Sequence, residues 1–386
     1  MNPADWKGEI KMRQLKVFPA VALVLGALAF FSGPALARDS VKIGAYLPMA
    51  GGVAAYGQME WRGIEIARSM EPEVLGKKIE VVREDTKSDP IESSNAVSLL
   101  VEMKVAGIIG EAISANTMAG NPISEKAQIP SVSPTSTNPL VTQGKKYAFR
   151  ACFVDPFQGE VAAKFALNNL NAKTAALIID HSQDYSVGLG NFFEKEFEKL
   201  GGKIVSKTYI QTGDQDYSAQ LSSIQASKPD MIYAPVYYAE DALMAKQARD
   251  LGINTPIMTG DGAQADQLIE IGGKAVEGVY LTGHFHKDAV TTERAKKFME
   301  LYQAQYKEDV NAFVALGADA YFLLVDAIRR AGSTEGPKVR DALADTRDFQ
   351  GVSGSSTMGP DGNPIKSMVI NKVENGRFVY VSTVNP

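Results

Sequence analysis

Small hydroxyl residues follow several predicted strands of this sequence and could bind an anion. Ser114 opens a predicted helix soon after the strand that ends at Gly110, and the loop 133–137 (SPTST) follows another strand. A serine at a helix N-terminus offers its hydroxyl, free backbone N–H groups and the positive end of the helix dipole, all of which suit a carboxylate. Ser114 and Thr137 could equally be simple helix caps.

The second half of the sequence offers a complementary charge and aromatic side chains. Asp261 stands between two glycines directly after a strand, where it could pair with a ligand ammonium or serve only as a turn residue. Tyr56, Tyr185 and Tyr237 could line an apolar ligand side chain, or could be ordinary half-buried aromatics. Together, these side chains would suit a small amino-acid-like ligand.

Motifs for catalysis or for a resident metal are weak in this sequence. The three histidines, His181, His284 and His286, form no HExxH pattern and have no cysteine cluster beside them. There is no phosphate-binding loop, dinucleotide fingerprint or G-x-S-x-G nucleophile, and Cys152 has no evident histidine partner. We therefore expect a protein that is not an enzyme and needs no cofactor or metal.

The loops that carry these residues lie between strands and helices that alternate along the chain. The apolar patterns predict strands over 41–47, 79–84, 106–110, 175–180, 203–210 and 231–236, and helices over 56–70, 91–103, 157–170, 186–200, 217–227 and 239–251. This alternation predicts an α/β fold with parallel sheets, in which ligands lie at the carboxyl ends of the strands.

The first 37 residues have the three parts of a secretory signal peptide. Basic residues up to Lys16 precede an uncharged apolar run over 17–31, and Ala35-Leu36-Ala37 is a small-x-small cleavage site. A transmembrane anchor is the alternative, although 15 residues are short for the roughly 20 that a bilayer needs. Cleavage after Ala37 would leave 349 residues, which favours two domains.

Charge and cysteine usage refine the expected location. The leader carries four basic and two acidic residues, so its removal changes the net charge from −5 to −7, which argues against a nucleic-acid partner. Cys152 is the only cysteine, so no intramolecular disulfide can form and no lipid can be attached just after the leader. We therefore expect a free protein in the periplasm.

In its ordered set of segments, the sequence resembles the periplasmic leucine/isoleucine/valine-binding protein family. The likeness covers nearly all of the chain after the leader, and the segments that carry it are VKIGAYLPMAGGVAAYGQMEWRGIEIA, EDTKSDP, IIGEAISANTMAGNPISEKAQIPSVSPTSTNP, RACFVDPFQG, DYSVGL, KQARDLGINTPIMTGDG and MGPDGNP.

The resemblance implies a role for each candidate residue. Ser114, Thr135 and Thr137 match the positions that hold a ligand carboxylate through hydroxyl and backbone N–H groups. The ammonium would be held by a loop carbonyl, a threonine hydroxyl and an acid, which match Thr135, Thr137 and Asp261. The aromatic wall matches Tyr56, Tyr185 and Tyr237.

Two departures from the family pattern leave the identity of the ligand open. Asp261 stands where branched-chain binders often have glutamate, which is one methylene longer. Ser88 and Ile113 stand at the places of a disulfide that is frequent near the first lobe's cleft. An aromatic acid, urea or a short amide therefore stays an alternative ligand.

The family fold implies two Rossmann-like lobes with parallel-rich sheets joined by a three-strand hinge, the type I periplasmic binding protein fold. We place the first lobe at 38–153 plus 285–363 and the second at 154–284 plus 364–386. The expected partners are a small ligand and the permease subunits of an inner-membrane ABC transporter, with the chain a monomer. A role in a ligand-sensing receptor and a secreted α/β hydrolase are the remaining alternatives.

The leader generates a first prediction. Protein purified from the native host should begin at Arg38, because the A-x-A site ends at Ala37. N-terminal sequencing measures this directly. Recovery of the intact 17–31 segment in the membrane fraction would contradict export by cleavage.

Overall fold

The computed structural model describes residues 40–386, so the leader and its cleavage site lie outside the described residues. Residues 40–386 belong to one compact unit. Within the described residues, no helix has the length and apolar character needed to cross a membrane.

Strands and helices alternate as the sequence predicts. The strands are β1 (Val41–Leu47), β2 (Glu73–Val74), β3 (Lys77–Asp85), β4 (Ile108–Ile109), β5 (Ser131–Ser133), β6 (Ala148–Arg150), β7 (Thr174–Asp180), β8 (Lys203–Ile210), β9 (Met231–Tyr233), β10 (Ile257–Thr259), β11 (Tyr280–Gly283), β12 (Phe349–Gln350), β13 (Ser355–Met358), β14 (Pro364–Ile365), β15 (Met368–Val373) and β16 (Phe378–Val384).

The helices fill the connections between these strands. They are α1 (Ala54–Met70), α2 (Pro90–Glu102), α3 (Ser114–Ala127), α4 (Asp155–Asn168), α5 (Asp184–Lys199), α6 (Ser218–Ser227), α7 (Tyr238–Asp250), α8 (Asp266–Gly272), α9 (Glu293–Tyr306), α10 (Ala312–Ala331) and α11 (Gly336–Ala344). Where the apolar patterns predict a helix, the structure has one whose ends differ by about two residues, which is the usual uncertainty of helix boundaries.

Two large sheets organise the chain. The first has the strand order β2-β3-β1-β4-β5-β6, and its strands pair in parallel except at β2. The second has the order β16-β15-β11-β10-β9-β7-β8 and is parallel from β8 to β11, with β15 and β16 antiparallel at one edge. The expected α/β fold with parallel-rich sheets is therefore confirmed.

The helix α10 anchors the core beside the first sheet. Asn311 caps it by accepting a hydrogen bond from the Val314 amide at 3.0 Å, and most of its 20 residues are buried. It packs closely on α1, since a Cβ added at Gly63 would lie 2.1 Å from the Val314 carbonyl oxygen. This close contact fixes α1, the helix that carries Tyr56.

Candidate functional site

Seven loops at the carboxyl ends of strands or at helix starts meet around one small cavity. It is small in this closed arrangement, with a volume of about 10 Å³, which is roughly the room that one water molecule needs. All seven candidate side chains line it, and its full lining is Tyr56, Ala112, Ile113, Ser114, Thr135, Thr137, Tyr185, Tyr237, Asp261, Gly262 and Phe313. A larger open groove of about 620 Å³ lies between α4 and the segment 359–366, but the candidate residues do not line it.

Neither Ser114 nor Thr137 is a simple helix cap. Ser114 is the first residue of α3, whose start has no side-chain cap, and its hydroxyl instead accepts a hydrogen bond from the Asn138 amide at 3.3 Å. Asn138 caps the short helix that follows it, by accepting from the Leu140 amide. The Thr137 hydroxyl is buried beside the Asp155 carboxyl, and no hydrogen bond of good geometry holds it among the described residues. Both hydroxyls, beside the free N–H groups of the first turn of α3, can therefore serve a ligand.

Thr135 has its hydroxyl occupied and offers its backbone. The hydroxyl oxygen lies 2.6 Å from Glu60 Oε1 and 2.8 Å from the Ala112 carbonyl oxygen. Because that carbonyl can only accept, Thr135 donates to Ala112 and a protonated Glu60 donates to Thr135. Burial raises the pKa of Glu60 well above its ordinary value, which agrees with this assignment. Among residues 40–386, no donor reaches the Thr135 carbonyl oxygen, which stays available to a ligand ammonium.

Glu111 holds the two hydroxyl-rich loops together from behind. Its carboxylate accepts from the Ile113 amide at 2.7 Å and from Asn116 Nδ2 at 3.0 Å, and its main-chain oxygen accepts from the hydroxyls of Ser133 and Ser136. Burial raises its pKa to about 7, while the donors oppose that rise. This carboxylate thus fixes the start of α3 relative to the 133–137 loop.

Arg150, at the end of β6, holds the same loop from the other side. Its guanidinium donates to the carbonyl oxygens of Ser136 at 2.6 Å and Asn138 at 3.0 Å, and to the Thr142 hydroxyl at 3.2 Å. The side chain is fully buried. The guanidinium reaches these acceptors from two separate nitrogens in a fixed plane, which a lysine, whose three donors share one nitrogen, cannot reproduce.

Asp261 makes long-range contacts that a turn residue would not need. The Tyr185 hydroxyl donates to Oδ1 at 3.0 Å, and Nε2 of His284 lies 2.9 Å from Oδ2. Its amide donates to Gln158 at 2.9 Å, and only 4% of the residue is exposed. Nearby Asp155 is also buried, and burial together with the charge of Asp261 raises the pKa of Asp155 to about 8. The structure therefore argues against the simple turn role.

Aromatic rings on helices beside both sheets line the cavity. Tyr56 stacks on Phe313 with ring centroids 4.2 Å apart, and Tyr185 stacks on Tyr237 at 5.3 Å. An edge contact at 5.7 Å joins Tyr56 to Tyr237, and the Tyr56 hydroxyl donates to the Gly262 carbonyl. A helix beside the first sheet thus contacts loops of the second sheet across the cavity.

The comparisons with known proteins agree with this geometry. The family model described as "Periplasmic binding protein" matches residues 40–377. This chain belongs to the periplasmic binding protein family. Its members are solute-binding proteins, and the likeness to the leucine/isoleucine/valine-binding proteins noted in the sequence is confirmed.

Three relatives illustrate the likeness. A leucine-, isoleucine-, valine-, threonine- and alanine-binding protein of Pseudomonas aeruginosa is 28% identical over 323 residues, which are 82% of this chain and 85% of the relative. The crystal structure of a leucine-binding protein, LivK, from Thermotoga maritima matches with 48% identity and a TM-score of 0.88, covering 90% of this chain and 99% of that one. LivJ from Streptococcus pneumoniae, in complex with isoleucine, matches with 31% identity and a TM-score of 0.85, covering 90% and 100%.

Several residues of the site were not found in the sequence. Glu60 and His284 contact candidate residues directly, and Phe313 completes the aromatic wall. Glu111 and Arg150 instead hold the loops that carry the candidate residues. The signal for Glu60 was its place one helical turn after Tyr56, which puts both on the same face of α1. Of the two disulfide positions, Ile113 lines the cavity with an aliphatic side chain, whereas the Ser88 hydroxyl donates to the Ala50 carbonyl oxygen at 2.8 Å. Among residues 40–386, no cluster of three His, Cys, Asp or Glu could hold a metal.

Arg150 generates the second prediction. Arg150→Lys should lower the free energy of unfolding by about 2–4 kcal/mol, because buried acceptors lose a charged donor that water cannot replace. Denaturant unfolding measures the change. Arg347→Lys is the matched control, since Arg347 donates to three carbonyl oxygens but is exposed. Equal losses in the two variants would contradict the role assigned to Arg150.

Proposed function

We propose that this chain is an exported solute-binding protein that captures an amino acid with an apolar, branched side chain and delivers it to an ABC importer. The observation that carries the proposal is that one cavity has groups suited to an anion on one side and a group suited to a cation on the other. The Ser114 hydroxyl at the start of α3 and the buried Thr137 hydroxyl suit a carboxylate, and the buried Asp261 carboxylate suits an ammonium.

The walls of the cavity suit a ligand with an apolar side chain. Phe313 and the three tyrosines present ring faces and edges, and Ile113 adds an aliphatic surface. The isoleucine in LivJ and the leucine in the name of LivK are ligands of this kind. An aromatic acid, urea or an amide lacks an ammonium and would leave Asp261 buried without a cation, which is costly.

Capture would use closure of two lobes, with the boundaries 38–153 plus 285–363 and 154–284 plus 364–386. The first sheet and α10 fall in the first range and the second sheet in the other, which supports this division. The Tyr238 hydroxyl donates to the Gly52 carbonyl oxygen at 3.2 Å, and Asn138 donates to the Asp184 carbonyl oxygen at 2.9 Å. These hydrogen bonds join the two proposed lobes and would stabilise the closed cleft. Closure hides the ligand charges from water and strengthens their hydrogen bonds.

The biological setting follows the same proposal. The cleaved protein would act in the periplasm as a monomer, and the permease subunits of an inner-membrane ABC transporter would receive the ligand. It would return the ligand unchanged and act without a cofactor, as a solute-binding protein rather than an enzyme. Micromolar or tighter capture corresponds to about −8 kcal/mol or better.

Asp261 provides the test. Asp261→Asn should keep the fold but weaken leucine binding by roughly 30- to 5,000-fold, because the ligand ammonium loses a buried charged partner worth about 2–5 kcal/mol. Ser114→Ala should cost less, since backbone N–H groups of α3 remain for the carboxylate. Titration calorimetry on the cleaved protein measures both.

The matched control is Asp250→Asn, an exposed acid at the end of α7, which should bind as wild type does. Equal melting temperatures of the variants would show that the fold is kept. If Asp261→Asn binds leucine as tightly as wild type, the ammonium role of Asp261 is wrong.

A further inference from the structure

The second carboxylate oxygen of Asp261 is held by a histidine that no sequence motif suggested. His284 follows the last residue of β11, and its Nε2 lies 2.9 Å from Asp261 Oδ2. The imidazole is buried, with 3% of the residue exposed, and stacks on Phe153 with ring centroids 3.7 Å apart. Stacking and the hydrogen bond together fix both the ring and the carboxylate.

The surroundings of His284 favour the neutral ring. A carboxylate accepts, so Nε2 carries the proton and donates to Asp261. Nδ1 is buried and has no hydrogen-bond partner among the described residues, so a proton added there would find no acceptor. Burial, aided by the nearby Lys366 ammonium, lowers the pKa of His284 below its ordinary 6.5 even though Asp261 opposes this.

Three further titratable groups lie near this pair, each on a different segment of the chain. Asp261 follows β10, and Lys366, between β14 and β15, donates to the Ala151 carbonyl oxygen at 3.1 Å. Cys152, whose thiol pKa burial raises to about 12, follows β6 and adjoins the stacked Phe153. Asp155 on α4 faces Asp261. With a neutral His284, the hydrogen-bonded pair keeps one negative charge.

We propose that His284 is a positioning residue that aims the Asp261 carboxylate at the ligand ammonium and, by taking up a proton, makes capture sensitive to acid. This inference rests on the proposed function. The neutral ring orients the carboxylate without cancelling its charge. Once protonated, the ring supplies the cation that Asp261 requires, so the proton and the ligand ammonium compete for one carboxylate.

The competition has a definite sign and range. Because the ligand ammonium disfavours a second cation at Asp261, binding should expel the proton from His284 when the pH is low enough for the free protein to carry it. Affinity should then fall by up to about tenfold per pH unit once the pH drops below the pKa of His284 in the free protein, which burial lowers from its ordinary value, as linkage of one proton requires. Burial raises the pKa of Asp155 to about 8 and that of Glu111 to about 7, and both groups remain in a His284 variant, so a comparison with that variant isolates the effect of His284.

Two substitutions separate orientation from charge. His284→Gln places an amide N–H near the position of Nε2 but cannot take up a proton in this range. It should weaken leucine binding at pH 7.5 by less than about tenfold and abolish the acid-induced loss. His284→Leu removes the donor and should cost about 10- to 100-fold at pH 7.5. His286→Gln is the matched control, because His286 contacts the Phe378 carbonyl oxygen at 3.3 Å rather than Asp261.

The experiment is titration calorimetry with leucine between pH 4.5 and 7.5, in buffers of different ionisation enthalpy, on the cleaved wild-type protein and these variants. Proton release below pH 6.5 that disappears in His284→Gln and persists in His286→Gln supports the proposal. The same acid limb in wild type and His284→Gln overturns the His284 role alone. No leucine binding by wild type at pH 7.5 overturns the proposed function and this inference with it.

A second measurement checks the proton itself. The chain has three histidines, so the imidazole resonance that His284→Gln removes from the NMR spectrum belongs to His284. It should titrate below pH 6.5 in the free protein and lower still with leucine. Titration at or above 6.5, or no change with leucine, contradicts the proposal even if affinity varies with pH.

Discussion

A buried carboxylate without a permanent cation beside it is the constraint on which the site depends. Asp261 is 4% exposed, and its side-chain partners among the described residues are a tyrosine hydroxyl and a histidine held neutral by burial. Such a group is costly to bury unless a cation reaches it. The second carboxyl close by, Asp155, responds by holding its proton, with its pKa raised to about 8. The cavity therefore has a standing electrostatic preference for a ligand that carries an ammonium.

The opposite side of the cavity shows the complementary solution. On that side, neither acid presents a free charge to the cavity. Protonated Glu60 donates to Thr135, and the Glu111 carboxylate accepts hydrogen bonds from Ile113 and Asn116. Arg150 donates its hydrogen bonds to carbonyl oxygens of Ser136 and Asn138 and not to the cavity. The groups that face the cavity are the N-terminus of α3 and the Thr137 hydroxyl. They can attract an anion although neither carries a full charge. A zwitterion in one orientation satisfies both sides.

The helices, the strands and the loops of the site could be predicted from the sequence, but the side chains that contact those loops from distant parts of the chain could not. The spacing of apolar residues located α1 and α2 within about two residues, and Asp89 caps α2 by accepting hydrogen bonds from the Ile91 and Glu92 amides. Strand ends then identified the loops, because parallel sheets bring such ends together. The contact between Asp261 and His284 could not be predicted from the sequence. The two residues are 23 positions apart and come together only because β11 pairs with β10. Likewise, the contact between Glu60 and Thr135 spans 75 positions.

A comparison of three ligands tests the central claim most directly, because it varies the ligand charges while the protein stays unchanged. Titration calorimetry of the cleaved protein would use leucine, 4-methylpentanoate, which lacks the ammonium, and benzoate, which is an aromatic acid without one. We predict that leucine binds at micromolar concentration or below and that both acids bind roughly 30- to 5,000-fold more weakly, because each leaves Asp261 without a cation. Binding of 4-methylpentanoate or benzoate as tight as that of leucine would contradict the account.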